Sequence, residues 1–114
     1  MAALTVITPT NAGAVSAPGS VAASDTIARS AMGAKGVYLV VFNGNASPDS
    51  MTISDHGSTP AGNSLASNTY AASVTNGTNK TFVIRPEQVN PATGLVTITH
   101  SVTSTVTYLA FAIN

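Results

Sequence analysis

Short apolar runs alternate with polar residues along most of this chain, with the period of two that is typical of β-strands. Seven runs fit this pattern, at residues 4–8, 37–43, 51–54, 69–74, 80–84, 95–100 and 105–113. Stretches rich in Pro, Gly, Asn and Ser separate them. The pattern predicts an all-β protein, either a small antiparallel β-sandwich or a β-barrel of about seven strands.

Two of these runs are apolar on both sides. In residues 37–43, Val37 and Leu39 lie on one side of the predicted strand, whereas Tyr38 and Phe42 lie on the other, and the second half of 105–113 has the same character. A strand with two apolar faces is typical of a covered, central position in a sheet. Seven side chains in the last third of the chain are expected to carry the stability: Phe82, Ile84, Val96, Ile98, Tyr108, Leu109 and Phe111.

Residues typical of turns separate several of the apolar runs. Asn76 and Gly77 lie between the runs at 69–74 and 80–84, and Asn-Gly between apolar runs is a strong signal for a tight β-hairpin. We therefore expect those two strands to be neighbours. Pro86 and Gly94 mark two further turns, one on each side of the segment that precedes the run at 95–100.

The segment at residues 11–36 has a different composition, rich in Ala, Gly, Ser and Pro. One helical turn is predicted near residues 24–29, where Ser24 or Asp25 could cap it. The rest is expected to be an extended arm or a long surface loop. The chain is thus predicted to be a single β domain over residues 1–114, with a strand and the arm at 1–36 and the sandwich body at 37–114.

Charge is scarce. The chain has four Lys or Arg and four Asp or Glu, and 7 % of its residues are charged, against roughly a quarter in ordinary soluble proteins. Thr, Ser and Asn supply 38 of the 114 residues and with them most of the polarity. Four basic residues cannot form the positive footprint that nucleic acids need, so no nucleic-acid partner is expected.

Neither secretion nor membrane insertion is indicated. The first residues place no basic side chain before their short apolar run, and no run approaches the length of a membrane span. The chain has no Cys, so nothing indicates an oxidising compartment. We expect a protein made in a cytoplasm, with no membrane partner.

Candidate reactive residues are few. Asp55, His56 and Ser58 are too close in sequence to converge as orienter, base and nucleophile of a hydrolase. Asp49, Asp55 and His56 could gather in one loop region around a metal ion, but their spacing is not diagnostic. His100 shares a strand face with apolar residues and is interpreted as a partly buried polar group with a backbone partner. We therefore predict no enzyme, no cofactor and no metal.

Several stretches resemble small head-decoration or minor capsid proteins of tailed bacteriophages. They are residues 4–13, 36–44, 82–86, 94–100 and 106–113, in that order and with that spacing. The segment at 45–68 is longer and richer in Ser than this family leads one to expect. The resemblance rests on hydrophobic patterns and on no reactive residue.

The resemblance implies a structural virion protein on the capsid exterior, made in the host cytoplasm, that stabilises contacts between capsomers. Its expected partners are the major capsid protein and further copies of itself, with a homotrimer favoured. Binding to the capsid is expected through the N-terminal segment, at Leu4, Val6, Ile7, Pro9, Asn11 and Val15.

A different class of function stays open. A β-sandwich of a phage tail or a bacterial surface could bind carbohydrate or a receptor, with Tyr70 and the loop at residues 49–63 as the contact. A head-to-tail connector or another tail component is a further alternative from the same sequence.

Overall fold

A computed structural model describes residues 2–14, 17–56 and 68–114 of the chain. The strands are β1 Ala2–Ala3, β2 Gly19–Ser20, β3 Ser24–Ala28, β4 Gly36–Asn43, β5 Asp49–Asp55, β6 Asn68–Val74, β7 Asn79–Ile84, β8 Leu95–Thr99 and β9 Val106–Ile113. Two three-residue 3-10 turns, Arg29–Ala31 and Pro86–Gln88, are the helical elements of the described ranges. No helix in those ranges is long and apolar enough to cross a membrane.

The strands form two sheets that pack as a small β-sandwich. The five-stranded sheet has the order β1-β3-β8-β5-β6, and the four-stranded sheet has the order β2-β9-β4-β7. All pairs of strands are antiparallel except β1 with β3. The all-β prediction is confirmed.

The core lies between the sheets and is built from alternate residues of both. The strands contribute β-branched, Leu and Met side chains that are fully buried, because one side of each strand faces the other sheet. The largest of these are Ile27, Met51, Ile53, Val74, Val96 and Ile98 from the five-stranded sheet and Val37, Leu39, Val41, Ile84 and Val106 from the four-stranded sheet.

The N-terminal segment connects the two sheets. β1 pairs with β3 in the five-stranded sheet, and the amide of Leu4 donates to the carbonyl of Thr26. Three residues later, Ile7 bridges in parallel to Phe111 of β9 in the other sheet. The segment predicted as the first strand, at 4–8, therefore crosses from one sheet to the other and does not extend either as a regular strand.

The prediction for residues 11–36 is partly wrong. Residues 24–28, expected to form a helical turn, are β3, which pairs with β8 over five residues. Ile27 is fully buried in this strand. The short polar residues that suggested a helix cap also suit a strand, and the apolar contact of Ile27 with the core decides between them. Residues 19–36 thus belong to the sandwich body.

The hairpin predicted around Asn76 and Gly77 is also wrong, although the turn exists. Gly77 has the positive φ of 77° that the turn needs, but β6 and β7 lie in different sheets. The turn is held instead by the end of β4, since the amide of Gly77 donates to the carbonyl of Asn43. The other two turn predictions fit: Pro86 opens a 3-10 turn, and Gly94 has a φ of 74° just before β8.

Candidate interaction surface

The outer faces of the two sheets differ in chemistry. On the five-stranded sheet, the positions that alternate with the buried ones carry mainly hydroxyl side chains: Ser24, Ser50, Thr52, Ser73, Thr97 and Thr99. Such a face hydrates well without charge. It matches the high Ser and Thr content of the chain.

The four-stranded sheet presents the opposite character. Most of its outward positions on β4 and β9, together with Val83 of β7, form what we call the apolar face: Tyr38, Val40, Phe42, Val83, Leu109, Phe111 and Ile113. The outward Asn79 and Thr81 of β7 and Thr107 of β9 are polar and border it. Tyr38 is 46 % exposed and Val83 is 50 % exposed, and the other members are half-buried.

The members of the apolar face are contiguous because of the strand register. Tyr38 of β4 lies between Val83 of β7 and Phe111 of β9, and the next outward residue, Val40, lies opposite Leu109. Cross-strand neighbours on one face have Cβ atoms roughly 5 Å apart, so these side chains touch across the sheet. The face is therefore one apolar surface.

None of the charged side chains of the chain occupies a position of the apolar face. Lys80 of β7 alternates with the outward Val83, and its ammonium lies 5.9 Å from the ring centre of Phe82 and donates to the carbonyl of Ser73. Arg85 and Glu87 follow β7, with 3.9 Å between guanidinium and carboxylate and both side chains largely exposed. An exposed pair of this kind contributes little to stability.

This surface was missed in the sequence, although its signal was visible. The apolar runs at 37–43 and 109–113 predict strands covered on both sides, whereas only their inward side chains are buried in the structure. Leu109 and Phe111, predicted as core residues, lie on the apolar face. Ile84, Val96, Ile98 and Tyr108 are buried, and Phe82 packs against the core, as predicted.

The residues predicted to contact a capsid are divided between the core and the surface. Leu4 is buried and Val6 packs against the core, so we reassign both to the stability of the fold. Ile7 is half-buried beside β9, whereas Pro9 and Asn11 are exposed. Val15 lies outside the described residues.

A buried cluster of ionisable groups lies inside the five-stranded sheet. Nδ1 of His100 is 2.6 Å from Oδ2 of Asp49, and Nε2 of the same ring is 3.7 Å from Oδ2 of Asp25. The side chains of the three residues are at most 2 % exposed. The prediction of a partly buried His100 side chain with a backbone partner is wrong, because the ring is fully buried and contacts two carboxylates instead. Only the main-chain amide of His100 has a backbone partner, the carbonyl of Ala23.

Each carboxylate of the cluster also accepts a backbone N–H. Asp49 accepts from the amide of Ser101, and both oxygens of Asp25 lie within hydrogen-bond distance of the amide of Ala22. Burial raises the pKa of the Asp25 carboxyl above its usual range, and the Ala22 amide and His100 partly oppose this shift. Such a cluster is closed to substrate, so its chemistry concerns stability.

The other candidate residues do not converge. Asp49 and Asp55 lie at opposite ends of β5, roughly 20 Å apart at the rise of a strand. His56 follows Asp55, while Ser58 and the rest of 57–63 lie outside the described residues, as does the side chain of Tyr70. Residues 49–55 of the predicted loop at 49–63 are strand β5. Within the described ranges, no group of three or more His, Asp or Glu could hold a metal ion.

Comparison of the chain with protein-family models, with curated proteins and with solved structures finds no match.

Proposed function

We propose that this protein is a structural component of a tailed-bacteriophage virion, a decoration or minor capsid protein on the outer surface of the head. It stabilises contacts between capsomers, and the apolar face is its contact with the major capsid protein. The observation that carries the proposal is the difference between the two outer faces: one is rich in hydroxyl groups and the other is apolar, exposed and without charge.

The chemistry of the apolar face suits a permanent protein contact. Large exposed apolar patches mark interaction sites, and the centre of a stable interface favours aromatic residues over charged ones. Tyr38 and Val83, the most exposed members, lie side by side on β4 and on the edge strand β7. An apolar sheet face of this kind suits an apolar surface on the partner.

The opposite face is suited to solvent. Its Ser and Thr side chains remain hydrated on a particle exterior, so that one sheet binds and the other faces outward. Copies that associate on a lattice, as a trimer in the arrangement that the sequence resemblance implies, multiply weak contacts into strong retention through effective concentration. A monomer with a modest affinity can therefore stay bound to the head.

The test is co-sedimentation of the purified protein with heads assembled without it. We expect saturable binding of the wild type and a rise in the temperature at which the heads rupture. Val83→Lys, which puts a charge in the apolar face, should abolish binding. The matched control is Ala71→Lys, an exposed position on β6, the edge strand of the other sheet, and it should bind like the wild type.

Two results would contradict the proposal. Absence of wild-type binding to heads, with binding to host glycans in its place, would favour a receptor-binding module. Equal loss of binding in the Val83 and Ala71 variants would also contradict the proposal. It would mean that an added charge weakens binding wherever it is placed, and not because it disrupts the apolar face.

A further inference from the structure

We propose that Asp25, His100 and Asp49 form a proton-dependent lock that holds three strands of the five-stranded sheet together and loosens as the pH rises. The lock is independent of the function proposed above. It concerns a cluster that has no part in the apolar face and is closed to solvent.

The cluster lies where the regular strand pairing stops. β5 and β8 share only two register pairs, Thr52 with Thr99 and Ile53 with Ile98. Beyond Thr99, side chains replace the backbone ladder: Asp49 binds the ring of His100 and the amide of Ser101. On the other side of β8, Asp25 of β3 faces the second ring nitrogen. His100 thus joins the strands on both sides of β8.

The contact between Asp49 and the ring needs one proton. Oδ1 of Asp49 accepts the amide of Ser101 at 3.0 Å, and its Oδ2 lies 2.6 Å from Nδ1 of His100. Two lone pairs would repel each other at that distance, so a proton lies between Oδ2 and Nδ1. A neutral ring can supply this proton as its Nδ1–H.

One more proton is needed between His100 and Asp25. With Nδ1–H directed at Asp49, a neutral ring would turn the lone pair of Nε2 toward Oδ2 of Asp25, 3.7 Å away. Two lone pairs that face each other in a buried site are unfavourable, whereas a proton on either atom makes the contact attractive. Burial raises the pKa of the Asp25 carboxyl, so we place this proton on Asp25, facing Nε2 of His100.

Apart from His100, the amino terminus is the charge that acts on the cluster. It lowers the pKa of the Asp25 carboxyl, but by less than burial raises it. Among the described residues, the structure shows His100 as the ion-pair partner of both carboxylates. β8 and the segments at 21–24 and 101–105 carry no further ionisable side chain, and the hydroxyl of Tyr108 in the facing sheet accepts the amide of Thr5. Loss of the proton therefore leaves two buried carboxylates around a neutral ring.

The direction of the pH effect follows from burial. Because burial raises the pKa of Asp25, the folded protein holds this proton more tightly than the unfolded chain. The stabilisation is complete below the ordinary pKa of an aspartate and is lost as the pH rises through the folded pKa. β3 also carries β1, so loosening at Asp25 extends to the N-terminal segment.

The experiment compares unfolding of the wild type and Asp25→Asn by denaturant between pH 3 and pH 9. The amide of Asn can accept the Ala22 N–H and donate to Nε2, and thus resembles the protonated aspartate. The ratio of the wild-type to the variant unfolding constant should rise with pH, by up to about tenfold per pH unit for one proton, and then level off. Glu87→Gln, at an exposed carboxylate, should follow the wild type at every pH.

A second measurement needs no variant. Carboxyl carbon NMR of the wild type should show that Asp25 keeps a proton at a pH where the exposed Glu87 is ionised. A constant ratio of unfolding constants across the pH range, or ionisation of Asp25 together with Glu87, would overturn the lock.

Discussion

Leu39 and Tyr38 are adjacent in β4 and point to opposite sides of the four-stranded sheet, so they test which face is covered. Leu39 is 1 % exposed and Tyr38 is 46 % exposed. Leu39→Ala removes three buried carbons, worth about 2.4 kcal/mol at roughly 0.8 kcal/mol each. A cavity of roughly 75 Å³ that did not collapse would add about 1.8 kcal/mol. The expected loss in unfolding free energy is therefore about 2.4 to 4 kcal/mol.

Tyr38→Ala should cost much less in the isolated protein. Its side chain contacts Val83 and Phe111 across the sheet, and cross-strand pairs of this kind contribute roughly 0.2 to 1 kcal/mol each. We expect a loss of about 1 kcal/mol. Denaturant unfolding at low protein concentration, where copies do not associate, measures both values. Equal losses would mean that the apolar face is covered within the fold, and a cost below about 1 kcal/mol for Leu39→Ala would remove Leu39 from the core.

Three further changes have defined outcomes. Gly77→Ala should lower the unfolding free energy by roughly 1 to 2 kcal/mol, because a residue with a Cβ disfavours the φ of 77°. The added Cβ itself would meet no atom within 4 Å. A neutral result in thermal unfolding would contradict this prediction. Asn43→Ala should lower the unfolding free energy, measured by chemical denaturation, by about 2 to 3 kcal/mol. The buried side-chain amide of Asn43 donates to the carbonyls of Ser47 and Val74 and accepts the Asn45 amide. A loss below about 0.5 kcal/mol would argue against a structural role for these hydrogen bonds. Retention on heads should hardly change between low and high salt in co-sedimentation, because the apolar face has no charge; steep salt dependence would indicate an electrostatic contact.

The fold class was predictable because alternation is a local property of a strand. In residues 37–43 both sides of the strand are apolar, and the structure buries one side, Val37, Leu39 and Val41. The turns at Gly77 and Gly94 were also predictable from local sequence, because both residues adopt a positive φ that Gly tolerates better than other residues.

The pairing of strands was not predictable, because it depends on distant partners. The turn at Asn76 and Gly77 fixes a reversal of the chain but not the sheet that each strand joins. Ser24 and Asp25 suit a helix cap as well as a strand, and only the burial of Ile27 against the core decides. The residues around Ile27 in the sequence do not indicate that it will contact the core.

The apolar face and the buried cluster were not predictable either, because both depend on contacts between distant strands. An apolar residue that faces outward, such as Tyr38, cannot be distinguished by sequence from one that is covered by other parts of the protein. Asp25, Asp49 and His100 are brought together by β3, β5 and β8, whose order in the sheet the sequence did not reveal. Their inward positions in the alternation were the available signal, since each shares its side of the strand with buried apolar residues.

The central claim is that the apolar face of the four-stranded sheet holds this protein on the outside of a phage head. Electron cryomicroscopy of heads incubated with the purified protein tests it most directly. The claim predicts copies at fixed lattice positions, with β4, β7 and β9 against the major capsid protein and the Ser- and Thr-rich face of the other sheet toward solvent. Heads without added density, or copies bound with Tyr38 and Val83 exposed to solvent, would contradict it.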